Sequence, residues 1–269
     1  GLPKPMAASP GRTSTWFMPS ATPPAKAGGS LPDDEAPLRA DGAERAPRTL
    51  FGRRKGHPLT ETRAALFDTV LPRLAFPLDD ERIADPKSLF PDPVDKVRVE
   101  IGFGGGEHLI HEAKARPRDG FIGCEPFLNG MAKALAAVQA AGLANVRLHF
   151  GDAVEVLDRL PDASVARVDL LYPDPWPKKR HWKRRFVATD RVARVARVLA
   201  PGGTFRVASD IPSYIDWTLL HLIDDPAFRW TARTADDWRR PYPGWPGTRY
   251  EAKALKAGRT PAYLTFERV

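Results

Sequence analysis

A proline-rich turn followed by a basic run is the densest chemical signal in the chain. The apolar stretch Val168 to Tyr172 leads into Pro173-Asp174-Pro175-Trp176-Pro177, and six of the eight residues that follow are Lys or Arg. Proline restricts the backbone, so Asp174 and Trp176 project in fixed directions. A carboxylate can accept hydrogen bonds from the edge of a purine while an indole stacks on its face. The pattern favours a base-handling site over a merely stiffened turn.

The basic run after this turn has two interpretations. Runs of charge are usually solvated and have no further role. This run lies beside the candidate site and contains an aromatic residue, which favours contact with a nucleic-acid backbone. The residues concerned are Lys179, Arg180, His181, Trp182, Lys183 and Arg184. Arg53, Arg54 and Lys55 form a second phosphate-binding candidate, with a loosely ordered basic segment as its close competitor.

Acids stand at the ends of three successive predicted strands. Glu100 precedes the loop Gly102-Phe103-Gly104-Gly105-Gly106. A dinucleotide fingerprint, G-x-G-x-x-G, would place its third glycine at position 107, which is Glu107 in this chain. Glu125 ends the second strand, where a carboxylate can accept both hydroxyls of a ribose. Asp152 follows the third strand, where it can bind an adenine amino group, cap the next helix, or do both.

These positions favour a ligand with a nucleoside and an ammonium group but no phosphate. An acid such as Glu100 is badly placed beside a pyrophosphate and well placed beside an amine. S-adenosylmethionine has an amino group, a sulfonium and no phosphate. We therefore predict that it binds at Glu100, Gly102, Gly104, Glu125 and Asp152, without a metal. His108 and His111 lie three apart on a predicted helix, which is more typical of an exposed helix face than of a metal site.

Strand-like and helix-like stretches alternate from Val97 onward, which predicts an α/β fold with a doubly wound, mostly parallel sheet and helices on both faces. The predicted strands are Val97–Ile101, Gly120–Glu125, Val146–Phe150, Val168–Tyr172, Thr204–Ala208, Phe228–Thr231 and Ala262–Arg268. The predicted helices are Thr60–Leu74, Glu107–Ala115, Gly130–Ala141, Ala153–Leu160, Phe186–Leu199 and Ile215–Ile223. Asp210 then follows a strand on the same rim as Asp174.

Composition sets the remaining expectations. The 269 residues carry a net charge of +8, which favours nucleic acid as a partner, with an acidic membrane surface second. The single cysteine, Cys124, excludes an internal disulfide and fits a reducing, cytoplasmic setting. We expect a disordered tail over residues 1–46 and a single domain over 47–269, with an N-terminal arm and helix over 47–96 and a catalytic core over 97–269. No apolar run approaches the roughly 20 residues that span a membrane.

Taken together, the motifs resemble those of bacterial tRNA (guanine-N7-)-methyltransferases. They are E-I-G-F-G-G-G, I-G-C-E, P-D-P-W-P-K-K-R-H-x-K-R-R, S-D-I-x-x-Y and T-R-Y-E, and the similarity extends from about Arg48 to the C-terminus. The resemblance implies a class I, Rossmann-like methyltransferase fold with a seven-stranded sheet. It implies methyl transfer from S-adenosylmethionine to N7 of a variable-loop guanine, guanine 46, in tRNA.

The resemblance also implies roles for single residues. Asp174 would be catalytic, with cofactor contacts from Glu100, Glu125, Asp152 and Asp174. Substrate contacts would come from Lys178, Asp210, Thr248, Arg249, Tyr250 and Glu251. The run Lys179 to Arg184 would meet the RNA. Trp182 departs from the family, which usually has Asn there.

Other readings stay open at this stage. A methyltransferase acting on another RNA base is one, although an exocyclic-amine enzyme would have (Asp/Asn)-Pro-Pro-aromatic instead of Pro173-Asp174-Pro175-Trp176. A non-catalytic RNA-binding module on the same fold is another. The segment around Trp238 and Trp245 either stacks bases or caps the core, and the Thr248–Glu251 segment is a plain loop on its simplest reading. We expect a monomer, with a weak dimer as the alternative.

Overall fold

The computed structural model describes Gly52, residues 54–78 and residues 83–269. The predicted tail, Arg53 and residues 79–82 lie outside the described part of the chain, and the division into a tail and one domain stays a prediction. The described residues belong to one compact unit.

A seven-stranded sheet forms the centre of the molecule. Its strands are β1 (Lys96–Ile101), β2 (Asp119–Cys124), β3 (Val146–His149), β4 (Val165–Leu171), β5 (Leu199–Ser209), β6 (Phe228–Trp230) and β7 (Ala262–Arg268). Their order is β3-β2-β1-β4-β5-β7-β6. Strands β1 to β5 pair in parallel, while β7 is antiparallel to β5 and to β6. The predicted doubly wound, mostly parallel sheet is confirmed, and its strand order reverses between β1 and β4, where open α/β sheets bind ligands.

Helices cover both faces of this sheet. They are α1 (Glu61–Thr69), α2 (Leu71–Leu74), α3 (Glu107–Ala115), α4 (Leu128–Ala141), α5 (Ala153–Arg159), α6 (Thr189–Val198), α7 (Pro212–Leu222), α8 (Asp236–Arg239) and α9 (Arg249–Lys256). Short 3-10 helices span Pro86–Leu89 and Lys179–Arg184. The single helix predicted over Thr60–Leu74 is divided at Val70, just before Pro72, because proline cannot donate the hydrogen bond that continues a helix.

The helix predicted over Phe186–Leu199 is shorter than expected. It begins at Thr189, and the 3-10 helix Lys179–Arg184 lies before it. Strand β5 starts directly at Leu199 and includes Pro201-Gly202-Gly203. Gly202 has a φ of 75°, a left-handed conformation that glycine adopts without a Cβ clash, so the irregular start of the strand is accommodated there.

Two apolar layers hold the helices on the sheet. One face packs α5, α6 and α7 against alternate residues of the central strands, such as Val99, Val168 and Phe205. The other face packs α1, α3 and α4 against β2 and β3, through residues such as Leu135 and Leu148. Burying these side chains is the main stabilising contribution, at roughly 25 cal/mol per Å² of apolar surface.

A belt of buried charges lies on the second face, over β1, β4 and β5. Asp169 accepts hydrogen bonds from Arg167 Nε at 2.8 Å and from Arg206 Nε at 2.6 Å. Arg167 also pairs with Glu112 of α3. His108, which we expected on an exposed helix face, is therefore buried, as is Glu112 of the same helix; His111 is exposed as expected. Polar residues at alternate positions of a strand ordinarily face solvent. Here the charged side chains are buried under a helix and form ion pairs with one another.

We predict that Asp169→Asn lowers the free energy of unfolding by about 3–5 kcal/mol, because it leaves two buried guanidinium groups short of negative charge. The measurement is urea unfolding at pH 7. The matched control is Asp158→Asn, which breaks an exposed ion pair to Arg194 and should cost less than about 1 kcal/mol. Equal, small losses in the two variants would contradict the role assigned to Asp169.

Asp169 also predicts the direction of acid sensitivity. Burial alone would raise the pKa of this carboxyl group, but the guanidinium groups of Arg206 and Arg167 hold its pKa well below the ordinary value. Its stabilising contribution is therefore complete above a pH of about 4 and is lost progressively as the pH falls below that. Asp169→Asn should remove this part of the pH dependence.

Candidate active site

A cavity of about 320 Å³ opens at the carboxyl ends of β1 to β4. Its lining comes from the loops after these strands, from the segment that contains Gly52 and Arg54, and from α9. The lining residues are Gly52, Arg54, Ile101, Gly102, Gly104, Cys124, Glu125, Pro126, Phe127, Gly151, Asp152, Ala153, Leu170, Tyr172, Pro173, Asp174, Trp176, Arg184, Phe186, Arg191 and Tyr250. The cavity lies at the point where the strand order reverses, so the fold itself places it.

The glycine loop and Glu125 form one wall of the cavity. Glu125 is buried, and its carboxylate accepts hydrogen bonds from the backbone N–H of Gly104 at 2.5 Å and of Phe127 at 2.9 Å. Gly104 has a φ of 61°, which an L side chain rarely adopts. Burial raises the pKa of Glu125 to about 7, although the two N–H groups oppose that rise. Its remaining lone pairs are available for hydroxyl donors.

Asp152 combines the two roles that the sequence left open. Its Oδ1 accepts a hydrogen bond from the N–H of Val154 at 3.0 Å, and with Glu155 it forms a capping box at the start of α5. Its Oδ2 is buried and has no hydrogen-bond partner within the described residues. A buried carboxylate oxygen without a partner costs free energy, so it indicates a site for a donor such as an amino group. The cap is confirmed, and the adenine contact stays a prediction that this oxygen supports.

These features fit S-adenosylmethionine. The loop after β1 leaves open space where Gly102 has no neighbour within 4 Å of a Cβ position. Glu125 can accept from ribose hydroxyls, and Asp152 Oδ2 can accept from the adenine amino group. The three positions follow three adjacent strands, so one extended nucleoside can reach all of them.

Glu100 and Cys124 are placed differently from the other residues near the cofactor. Glu100 is buried outside the cavity lining, and its Oε2 lies 2.7 Å from Nδ1 of His108. Its predicted contact with an ammonium group stays a prediction, and its carboxylate already has a partner. Cys124 is buried at the end of β2, and burial raises the pKa of its thiol, so it serves as a small core residue.

The turn after β4 presents Asp174 at the rim of the cavity. Tyr172 and Trp176 both have positive φ values, 51° and 43°, which cost a bulky L residue roughly 1–2 kcal/mol each. The turn therefore adopts a strained path that aims Asp174 and Trp176 into the cavity. Asp174 is exposed at the surface, but the groups around it desolvate it enough to raise its pKa above the ordinary value.

Gly52 lies directly against Asp174, which the sequence did not reveal. A Cβ at Gly52 would be 2.8 Å from Oδ2 of Asp174, and its φ of 122° also excludes most side chains. The segment is anchored on α4, because Leu128 N–H donates to Arg54 O at 2.9 Å and Gly56 N–H donates to Asn129 Oδ1 at 2.7 Å. Gly52 and Arg54 thus belong to a segment that lies against the catalytic candidate, Asp174.

The basic run after the turn separates into residues with different roles. Lys178, Lys179, Arg180 and Lys183 are exposed, as a phosphate-binding surface requires. The guanidinium of Arg184 lies 5.0 Å from the centre of the Trp176 ring, and His181 meets that ring edge-on at 5.9 Å. Trp182 packs inward against Trp217, with ring centres 5.5 Å apart. The RNA contact predicted for Trp182 stays a prediction that this placement does not favour.

Arg185, the last residue of the run, is fully buried. Its Nε donates to the carbonyl oxygen of Pro175 at 2.9 Å, and its terminal nitrogens donate to the carbonyl and hydroxyl oxygens of Ser213. The guanidinium also stacks over Trp182 at 4.5 Å. The position of Arg185 beside the apolar pair Phe186-Val187 is the sequence signal that could have separated it from the solvated cations.

The residues expected to contact substrate near the C-terminus are mostly engaged within the protein. Thr248 caps α9 by accepting from the N–H of Glu251 at 3.1 Å, so the expected plain loop is a helix. Tyr250 lines the cavity, and Arg249 lies over its ring at 4.9 Å. Asp210 follows β5 on the same rim as Asp174, but its carboxylate pairs with Arg259 at 2.5 Å. The spacing T-x-x-E is the capping-box pattern, which could have predicted this helix.

Comparisons with known proteins give a consistent result. A family profile described as "Putative methyltransferase" matches residues 87–264. A tRNA (guanine-N(7)-)-methyltransferase of Rhizobium meliloti (strain 1021) is 57% identical over 224 residues, which cover 83% of this chain and 97% of that protein. A protein of the same name from Brucella melitensis biotype 1 is 55% identical over 88% of this chain and 99% of that protein. The chain belongs to this methyltransferase family.

Family membership agrees with the resemblance found in the motifs. Among solved structures, the 16S rRNA methyltransferase KamB matches with a TM-score of 0.48 and 18% identity, over 65% of this chain and 89% of that one.

Within the described residues, no three His, Cys, Asp or Glu side chains come together as a metal site. No helix in the described part of the chain is long and apolar enough to cross a membrane.

We predict that the nucleoside half of the cofactor binds more weakly below neutral pH. With a pKa of about 7, Glu125 is mostly protonated at pH 6 and mostly ionised at pH 8, and the ionised form is the better acceptor for ribose hydroxyls. Calorimetry with 5′-methylthioadenosine, which lacks the amino-acid amine, should give a Kd about tenfold higher at pH 6 than at pH 8. Glu125→Gln should bind weakly with no such pH dependence. A pH-independent Kd in the unsubstituted protein would contradict the assignment.

Proposed function

We propose that this protein transfers a methyl group from S-adenosylmethionine to N7 of a guanine in the variable loop of tRNA, at guanine 46. The observation that carries the proposal is the position of Asp174. It lies in the strained turn that also presents Trp176, at the rim of the cavity whose wall contains Glu125 and Asp152. Cofactor and purine would thus meet beside one carboxylate. The activity named for the relatives supports the proposal.

The chemistry requires alignment more than proton transfer. Guanine N7 has an in-plane lone pair and carries no proton at neutral pH, so no general base is needed. The sulfonium of the cofactor supplies an electrophilic methyl group and a neutral leaving group. The chain contributes mainly by holding N7, the methyl carbon and sulfur in line. Asp174 can accept hydrogen bonds from guanine N1–H and its amino group, and it stabilises the positive charge that develops on the ring.

The exposed cations of the basic run serve as the RNA-binding surface. Lys178, Lys179, Arg180 and Lys183 lie next to the cavity and are exposed. Arg54 also lines the cavity. Cations on these two elements can neutralise backbone phosphates next to an inserted nucleotide. We propose accordingly that the protein acts in the cytoplasm, where tRNA is its partner, and that it acts as a monomer.

We predict that the protein labels bulk tRNA with methyl groups from labelled S-adenosylmethionine, and that the label maps to the sites of chain cleavage that N7-methylguanine permits. Asp174→Ala should lower transfer by more than about a hundredfold, since both alignment and charge stabilisation are lost. Unchanged unfolding by urea should accompany that loss. Label on an exocyclic amine, or near-normal turnover of a folded Asp174→Ala variant, would overturn the proposal.

A second prediction concerns the RNA surface. Replacing Lys179, Arg180 and Lys183 with Ser should weaken tRNA binding and reduce the slope of log K against log salt by about 2–3, as expected for three lost phosphate contacts. The matched control replaces Lys87, Lys96 and Arg118 with Ser. Lys87 lies in the 3-10 helix Pro86–Leu89, Lys96 begins β1 and Arg118 precedes β2, and none of them lines the cavity. The control should leave both affinity and slope unchanged. Equal losses in the two triple variants would mean that the effect is one of net charge only.

A further inference from the structure

Glu251 is the member of the Thr248–Glu251 segment whose surroundings least fit a substrate contact. The residue is 7% exposed. Its Oε2 accepts a hydrogen bond from the indole N–H of Trp245 at 2.7 Å, and its Oε1 accepts one from the hydroxyl of Tyr263. Both carboxylate oxygens are therefore committed to groups of the protein itself. In a capping box this carboxylate would bind the N-cap backbone, so its different use in α9 needs another explanation.

The two donors belong to an aromatic cluster directly below the catalytic turn. Tyr242, Trp245 and Tyr263 pack edge to face, with ring centres 5.5–5.9 Å apart. Leu171 and Tyr172, the last residues before Pro173, pack against the same cluster. Edge-to-face pairs contribute roughly 0.5–1.5 kcal/mol each and have a defined geometry. A displacement of Tyr263 or Trp245 would therefore shift the residues at the start of the turn.

Glu251 also fixes the opposite wall of the cavity. It lies in the first turn of α9, next to Tyr250, which lines the cavity. A side chain that holds β7 through Tyr263 and the preceding loop through Trp245 sets the position of this helix start. We propose that Glu251 is a positioning residue: it ties α9 to the aromatic cluster and so holds the turn of Asp174 and the wall of Tyr250 at their working separation. This inference rests on the proposed function for the reaction that it supports.

The test compares variants that alter the same hydrogen bond from either end: Glu251→Gln replaces the charged acceptor with a neutral amide, and Tyr263→Phe removes the donor. Glu251→Gln and Tyr263→Phe should each lower the single-turnover rate of methyl transfer about tenfold or more, with the Kd for tRNA changed by less than about twofold. Because the two groups act as one unit, the double variant should be no slower than the slower single variant. The matched control is Tyr242→Phe, which removes a hydroxyl of the same cluster that donates to Leu264 O at 3.0 Å. It should keep the wild-type transfer rate.

A direct substrate contact gives the opposite pattern. Glu251→Gln would then weaken tRNA binding, Tyr263→Phe would leave the rate unchanged, and the two effects would add. The rate of backbone hydrogen exchange in the segment 170–178 measures how firmly the turn is held, and this measurement does not depend on methyl transfer. Exchange there should be faster in Glu251→Gln and Tyr263→Phe than in Tyr242→Phe. Unchanged exchange would overturn the inference, whereas an absence of N7-methylguanine with the unsubstituted protein would overturn only the proposed function.

Discussion

The hydrogen bond from buried Arg185 to the carbonyl oxygen of Pro175 is the constraint on which the site depends. Prolines limit the path of the turn, but they remove backbone donors that could fasten it. The neighbouring residues Tyr172 and Trp176 hold left-handed conformations that the turn would otherwise relax. A guanidinium that is fully buried, stacked on Trp182 and bonded to Ser213 can offset that strain, since it is itself fixed from several sides. The strain and its compensation lie within a few residues of Asp174.

The buried ion belt below the sheet gives the site a second form of rigidity. Asp169 lies on β4 at the centre of the belt, and the same strand ends in the catalytic turn. Charged pairs at this depth contribute little net stability compared with apolar packing, but they tolerate few alternative arrangements. His108, which pairs with Glu100, also packs against Trp245 at 5.0 Å, so the belt continues into the aromatic cluster that holds Glu251. The ion belt and the aromatic cluster are thus joined in one packed network below the turn.

The sequence predicted the fold and part of the site, and the reasons for each limit are physical. Alternating apolar runs located all seven strands. Of the three acids expected at the ends of successive strands, Glu125 and Asp152 line the cavity together with Asp174, whereas Glu100 is buried against His108 outside that lining. Gly52 was missed because its contact with Asp174 spans more than a hundred residues and has no local pattern. Arg185 was missed because a run of like charges hides the one member that turns inward. Helix α9 was missed because its T-x-x-E signal was assigned to substrate binding.

The charge of the product explains why an acid and an indole would stand together at the cavity rim. Methylation at N7 converts a neutral purine into a cation, so interactions that strengthen with positive charge favour the transition state over bound guanine. Asp174, with its raised pKa, lies in a partly desolvated position where a carboxylate interacts more strongly with a nearby cation than it would in water. The face of the Trp176 ring attracts cations, as its contact with Arg184 illustrates. A rigid turn that aims both groups at one purine can therefore contribute to rate through charge as well as through alignment.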